Sequence, residues 1–458
     1  MNEKTLMRAG IRGIIAGLAA ATLAVSVASA AAGPASADPV PPVRTPGLGE
    51  VFNGYAVGAM TGGHFGSPNE IFNALLPNDP FYAEPKLTGN EKPGTLLKSK
   101  KVDVMFTGLK PANLDAYKIM YVTTGLDAKT PEISTGIIMV PRGKPTASRK
   151  LISYQEANDS VGGYCHPSSQ WTGGDPMDGA SWSALGPLAL MFDKGYSVVI
   201  SDVGNNGDLS PHGVFAGKYA AHTQLDAIRA ATQVPSGQGT TVIVAKPKVV
   251  MFGIAGGGVG AATSAELQGS YAPELDVRGT VLEGMVVNQR NFLRVTSGSV
   301  GSGFGFATLL GLEPKYPEMK LDAKLTPVGK QVADYYRSQC QTPAYFMMPF
   351  IPLSALFVGN QNPADIKDFQ HVYDDNQLGK HAPKAPVLIT SCRGDDSPMS
   401  LVPAQDARDL AATYRRGGTD VTYAGSDCSM LKAITDIYGW GTDLFGMQTL
   451  PWIDSRLR

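Results

Sequence analysis

The chain has 458 residues, 43% of them hydrophobic and 17% charged, with a formal net charge of −1. That length suits one large domain with insertions, or two domains. The balanced charge, with no basic tract and no interleaving of basic and aromatic residues, argues against a nucleic-acid partner.

The N-terminus carries the marks of export. Lys4, Arg8 and Arg12 precede an apolar run over 14–28, and Ala35-Ser36-Ala37 is a small-residue cleavage site before Asp38. A second such site is Ala28-Ser29-Ala30. The pattern predicts a signal peptide over 1–37. An uncleaved membrane anchor is the alternative, disfavoured because the run is short for a span. No later segment is long and apolar enough to span a bilayer. The first cysteine is Cys165, so no lipid-modified N-terminus is expected. Cys165, Cys340, Cys392 and Cys428 predict two disulfides in an exported chain, with three connectivities open. Free buried thiols are the alternative. No pair is spaced C-x-x-C, and no metal or cofactor is expected.

Residues 38–95 read as an irregular, Pro/Gly-rich arm. KKVDVMF at 100–106 alternates and predicts an edge strand. Strands follow at 116–123, 132–140 and 150–154. From 181 onward, helix and strand alternate. Helices are predicted at 181–194, 219–232, 257–267 and 404–416; strands at 197–202, 249–252, 277–282, 385–390 and 419–424. Continuous apolar strands alternating with helices indicate an α/β fold, a mostly parallel central sheet flanked by helices. Residues 288–380 break the rhythm with helical stretches, and read as a cap or lid insertion. The predicted layout is a core over 96–287, the cap over 288–380, and the rest of the core over 381–458.

The stretch VVMFGIAGGGVGAAT at 249–263 is an apolar strand, a glycine turn and a small-residue helix. This is the outline of the nucleophile elbow G-x-S-x-G. Here the frame is Gly253-Ile254-Ala255-Gly256-Gly257, with alanine in the serine position.

Several segments, taken in order, resemble the secretory lipase family, the fungal lipase A type of α/β-hydrolase. They are Asp79-Pro80-Phe81-Tyr82 with Pro93-Gly94-Thr95; Ser153-Tyr154-Gln155-Glu156 through Ser160, with Cys165-His166-Pro167; Leu225-Asp226-Ala227; and Tyr271-Ala272-Pro273-Glu274. The resemblance covers nearly all of the mature chain. It implies acyl-ester hydrolysis by a Ser-His-Asp triad, in the chain order serine, acid, histidine.

Each triad position then has a candidate. The nucleophile position is Ala255, which has no attacking atom. Thr263 and Ser264 lie about two turns along the helix, over ~10 Å from the elbow. Asp395 best fits the acid position, with Asp396 adjacent; a Gly-Asp-Asp-Ser-Pro turn explains the pair equally simply and is preferred. The histidine position holds Cys428, and the last histidine of the chain, His381, precedes the acid strand. For the oxyanion hole the candidates are Gly256 and Asp159, although Asp159-Ser160 also suits a turn cap. His166, His212 and His222 fall near the functional end but read as packed residues.

The resemblance also implies the disulfides. Acid and histidine loops meet in a working hydrolase, so Cys392–Cys428 is expected to bridge them. Cys165–Cys340 is expected to tie the oxyanion loop to the cap. The segment Tyr345, Phe346, Met347, Met348, Phe350 and Leu353 is a candidate acyl-pocket lining, or a plain cap core. The expected protein is a secreted, monomeric, lipase-like pseudoenzyme that binds an acyl lipid or ester, or acts as an extracytoplasmic partner protein. The rivals are an active triacylglycerol lipase or carboxylesterase with a relocated nucleophile, and a surface protein with a filled pocket.

Overall fold

A computed structural model describes residues 46–52, 63–74, 79–157, 160–205, 207, 212–237, 239–341, 347–395 and 400–458. The expected signal peptide, Asp159, Tyr345, Phe346 and Asp396 lie outside the described residues.

The central sheet has nine strands: β1 (Leu96–Val102), β2 (Leu114–Thr124), β3 (Pro131–Pro141), β4 (Lys150–Gln155), β5 (Ser197–Ser201), β6 (Lys248–Ile254), β7 (Val277–Glu283), β8 (Val387–Cys392) and β9 (Val421–Ser426). Their spatial order is β9-β8-β7-β6-β4-β5-β3-β2-β1. The strands from β5 to β9 run parallel, whereas β1, β2 and β3 join by antiparallel pairing.

Period-two alternation divides the core between two faces. Ile152, Tyr154, Val250, Phe252, Ile254 and Val281 pack on one face, against Leu185 and Leu188 of α1 (Gly179–Asp193). Leu151, Val249 and Met251 pack on the other, against Leu225 and Ile228 of α2 (Gly217–Ala231) and Ala265 of α3 (Gly257–Tyr271). With both faces covered, the strands are apolar throughout rather than alternating with polar residues. Asp178 caps α1 by accepting from the Ser181 N–H, and Gly195 closes that segment at φ +79°.

One strand lies earlier than the sequence predicts. β1 ends at Val102, and the pairing begins at Leu96 opposite Tyr121. The alternation of residues 100–106 misleads because its apolar half leaves the sheet. Met105 N–H donates to Trp171 O at 2.9 Å, and Phe106 stacks on Trp171 with ring centroids 5.3 Å apart.

Between β7 and β8 the chain forms helices α4 (Gln289–Thr296), α5 (Ser302–Leu312), α6 (Pro327–Arg337) and α7 (Gln370–Asp375), and adds no strand to the main sheet among the described residues. Helix α5 is apolar on all sides because it is enclosed. Its Phe306, Leu309 and Leu310 join Phe357, Phe369 and Tyr336 in a core shared with Tyr219 and Ala220 of α2 and Val259 of α3. Arg337 closes this segment with ion pairs to Glu313 at 2.6 Å and Asp322 at 2.8 Å. The Cys165–Cys340 disulfide, Cα–Cα 5.3 Å, ties it to the loop after β4. After β8 come α8 (Ala404–Arg416), β9, then α9 (Met430–Thr435), α10 (Ile437–Leu444) and α11 (Leu450–Arg456). No helix among the described residues is long and apolar enough to cross a membrane.

Candidate active site

The turn between β6 and α3 is a sharp elbow. Ala255 sits at its tip with φ +48°, a left-handed conformation that a side-chain-bearing residue adopts only under constraint. Two glycines show what imposes it. A Cβ on Gly257 would lie 1.9 Å from Glu156 O, and a Cβ on Gly253 would lie 2.5 Å from the Cβ of Ala261. β6 and α3 therefore cross too closely for a side chain at Gly253, and the start of α3 passes too close to the segment after β4 for one at Gly257. Ala255 N–H is held by Glu283 O at 3.0 Å, across the neighbouring strand. Gly256 precedes the first helical residue of α3, so the positive end of that helix lies at the elbow tip.

The hydroxyls nearest in sequence are engaged elsewhere. Ser264 is buried and bonds Gln224 Oε1 at 2.7 Å; Thr263 bonds Val259 O at 2.9 Å.

Asp395 follows β8, and its carboxylate caps α8 by accepting from the Ala404 N–H. Ser400 Oγ approaches the same oxygen at 3.5 Å. Cys428 is bonded to Cys392, Cα–Cα 5.5 Å, joining the ends of β8 and β9. Around it, Asp427 accepts from Ser429 N–H at 2.9 Å, and Ser429 caps α9 through Lys432 N–H at 3.1 Å.

The histidines lie in two groups. His64, His371 and His381 are exposed. The buried three pack against one another or against backbone. His166 and His212 stack with centroids 3.9 Å apart, and the ring nitrogens of His212 face Asp202 O and Asn205 O at 3.2 and 3.0 Å. His222 bonds Gly125 O at 3.0 Å and stacks on Tyr271.

The cap candidates split. Met348 and Leu353 are buried in the helical core, whereas Met347 and Phe350 are exposed. The larger cavity described, 630 Å³, is lined by polar residues including Glu84, Glu132, His212 and Lys315, and neither Ala255 nor Gly256 lines it.

Sequence reasoning missed two buried carboxyl groups beside the elbow. Glu156 follows β4 and Glu283 ends β7, the strands on either side of β6. Burial raises each pKa to about 8. Glu156 accepts from Trp171 Nε1, and Glu283 Oε1 accepts from Gly446 N–H at 2.7 Å and Gln448 Nε2 at 3.2 Å. Glu283 Oε2 has no protein partner. Tyr154 lies among them, its hydroxyl pKa raised by burial and by both carboxyls. The available signal was a glutamate closing an otherwise apolar strand.

Two measurements follow. Gly257→Ala should cost at least about 3 kcal/mol, because backbone oxygen cannot retreat, whereas Ala255→Gly should gain about 1 kcal/mol by relieving the left-handed strain. Chemical denaturation of both variants reads this, and equal effects would remove the elbow constraint. The second concerns pH. Glu156 and Glu283 hold their protons more tightly folded than unfolded, where the value is 4.5. Their contribution to stability is present below that value and is lost as pH rises toward 8, by up to about 1.4 kcal/mol per pH unit each. Glu156→Gln and Glu283→Gln should each flatten the decline; slopes parallel to wild type would contradict the assignment.

A sequence model described as secretory lipase matches residues 186–458. A secreted triacylglycerol lipase of Malassezia globosa is 29% identical over 357 residues, covering 75% of this chain and 72% of that protein. A probable inactive lipase of Mycobacterium tuberculosis is 28% identical over 397 residues, covering 84% and 85%. Candida antarctica lipase A shares the fold, with TM-score 0.67 and 22% identity over 84% of this chain and 87% of that one. The rice cell wall degrading esterase LipA from Xanthomonas oryzae does so with TM-score 0.62 and 19% identity, over 80% and 100%. The matched span takes in the elbow, every strand after it and the Cys392–Cys428 disulfide, and the chain belongs to the secretory lipase family, with the α/β-hydrolase fold.

Proposed function

We propose that this protein is an exported, catalytically silent member of its family that binds an acyl lipid or ester without cutting it. The observation that carries the reading is the alanine at the elbow tip: the backbone holds the nucleophile's posture and the side chain has nothing to attack with. Two further features support it. A disulfide joins the β8 and β9 ends, where a working triad would bring acid and histidine together. The aspartate in the acid loop serves as a helix cap.

Loss of the serine alone typically removes about 10⁶ in turnover, leaving about 10³–10⁴ over water from binding and the oxyanion donors. Loss of the histidine removes the base that would activate any replacement hydroxyl. The family origin makes acyl esters the ligand class: relatives in Malassezia are named secreted triacylglycerol lipases, and the M. tuberculosis relative is named a probable inactive lipase. Export of this chain follows from its N-terminal pattern and agrees with the secreted relatives. In this reading the helical segment over 288–380 is the cap above the ligand face, the protein is a monomer, and Gly256 with Asp159 are the remnants of the oxyanion hole.

Purified mature protein should hydrolyse no p-nitrophenyl ester, short or long, above a heat-killed control, and should take no fluorophosphonate label. Turnover at an ordinary enzymatic rate with one labelled residue would overturn the reading and identify a relocated nucleophile. Ala255→Ser should remain unlabelled, since no histidine follows the acid loop. Replacing Cys392 and Cys428 by serine should cost about 3–4 kcal/mol, the chain-entropy value for a loop of this length. Ester turnover should stay at the control level; a gain of activity in this variant would mean that the disulfide masks a working site.

A further inference from the structure

The elbow lies at the C-terminal ends of the parallel strands. A second cleft lies at the opposite ends, and its chemistry differs. It has a volume of 450 Å³ and is bounded by the starts of β7 and β8, the last turns of α3, and the end of α11. Arg278, Lys384 and Arg456 line it, and no carboxylate does. Val277, Ala385 and Pro386 supply an apolar wall.

The cations are only partly engaged. Arg278 pairs with Asp276 at 2.8 Å and Arg456 with Asp420 at 3.4 Å, both carboxylates being exposed and outside the lining. Lys384 makes no ion pair among the described residues. The Arg456 guanidinium rests over the Trp452 ring, 4.9 Å from its centroid, which fixes its position. Behind the lining, Arg456 Nε is buried with no acceptor among the described residues, as is Nε1 of Trp452, which stands outside the lining. Buried donors rarely go unpaired, because each one left so costs about 1–3 kcal/mol. The other polar lining groups are spent. Gln268 Nε2 serves Ala272 O at 3.0 Å, and Ser455 Oγ serves Trp452 O at 2.6 Å.

The cleft thus gathers three cations with no carboxylate among its lining residues. We propose that it is an anion site for a phosphate group carried on an organic substituent. Phosphate has enough acceptor oxygens to take bonds from two guanidinium groups and an ammonium at once. The volume exceeds that of the bare ion, and the apolar wall suits an attached chain or ring. A soluble phosphate ester and a phospholipid headgroup present the same chemistry.

The test uses the mature full-length chain. Isothermal titration with inorganic phosphate, against chloride at equal ionic strength, should show saturable one-site binding. Arg278→Gln/Lys384→Gln, both exposed positions, should weaken it at least about tenfold, the loss expected for charge-assisted bonds. Lys129→Gln, a surface charge elsewhere, should not. Flotation with phosphatidylglycerol and phosphatidylcholine vesicles separates the sources. Capture by phosphatidylglycerol alone, lost in the double variant, supports the headgroup; phosphate binding without vesicle capture supports a soluble ester. The proposal is overturned when wild type binds neither phosphate nor phosphatidylglycerol, or when the double variant binds as wild type does. Neither result depends on ester turnover, so this site and the silent elbow stand or fall separately.

Discussion

The close crossing of β6 and α3 is the contact on which the candidate site depends. A Cβ on Gly253 of β6 would lie 2.5 Å from the Cβ of Ala261 of α3, and the strand arriving at that crossing must turn within two residues. A left-handed residue at the tip is the way an L-peptide makes that turn, and Ala255 bears the strain, of about 1–3 kcal/mol. In a working hydrolase the same posture lifts a serine from the sheet. Here it persists around an alanine methyl, which has no attacking atom. The posture is therefore a product of packing, maintained by helix and strand whether or not chemistry follows. Retention of an elbow says that the fold is intact and leaves the chemistry to be argued from the side chains.

That separation explains what the sequence made legible. The elbow frame was readable because glycine is required at Gly253 and Gly257 by sterics alone. The parallel strands were readable because burial on both faces makes them continuously apolar, and α8 was readable from its Gly417-Gly418 stop. The disulfide pairing was legible only through the family resemblance, which implies that the acid and histidine loops meet. β1 was misjudged because an in–out pattern records burial and does not distinguish a sheet neighbour from Trp171. Glu156 and Glu283 were overlooked for a related reason. A glutamate at a strand end looks like a solvated boundary, and its burial depends on Trp171, Gly446 and Gln448, residues remote in sequence.

Those two glutamates alter the electrostatics beneath the elbow. With pKa values near 8 they are largely protonated at neutral pH, so the flanks of β6 carry little negative charge there. In the reading proposed above, the loops that would once have been held by an acid–histidine hydrogen bond are held by Cys392–Cys428 instead. A hydrogen bond between charged partners varies with pH and contributes on the order of 2 kcal/mol; a disulfide in an exported protein does not titrate and contributes more. The exchange gives a tether indifferent to protonation, at the cost of a residue that moves protons.

In the reading proposed above, the two ends of the sheet differ in how they relate to the lost chemistry. The C-terminal end is built around a turn whose catalytic use depends on side chains this chain lacks. The N-terminal end gathers Arg278, Lys384 and Arg456 around the starts of strands, a place that ester hydrolysis does not use. Substitutions at the elbow leave those cations untouched, because the intervening strand cores are rigid and apolar. A chain in this condition can lose turnover and keep a binding surface. The three cations gathered there, with no carboxylate in the lining, are the physical reason to look for a binding role at that edge.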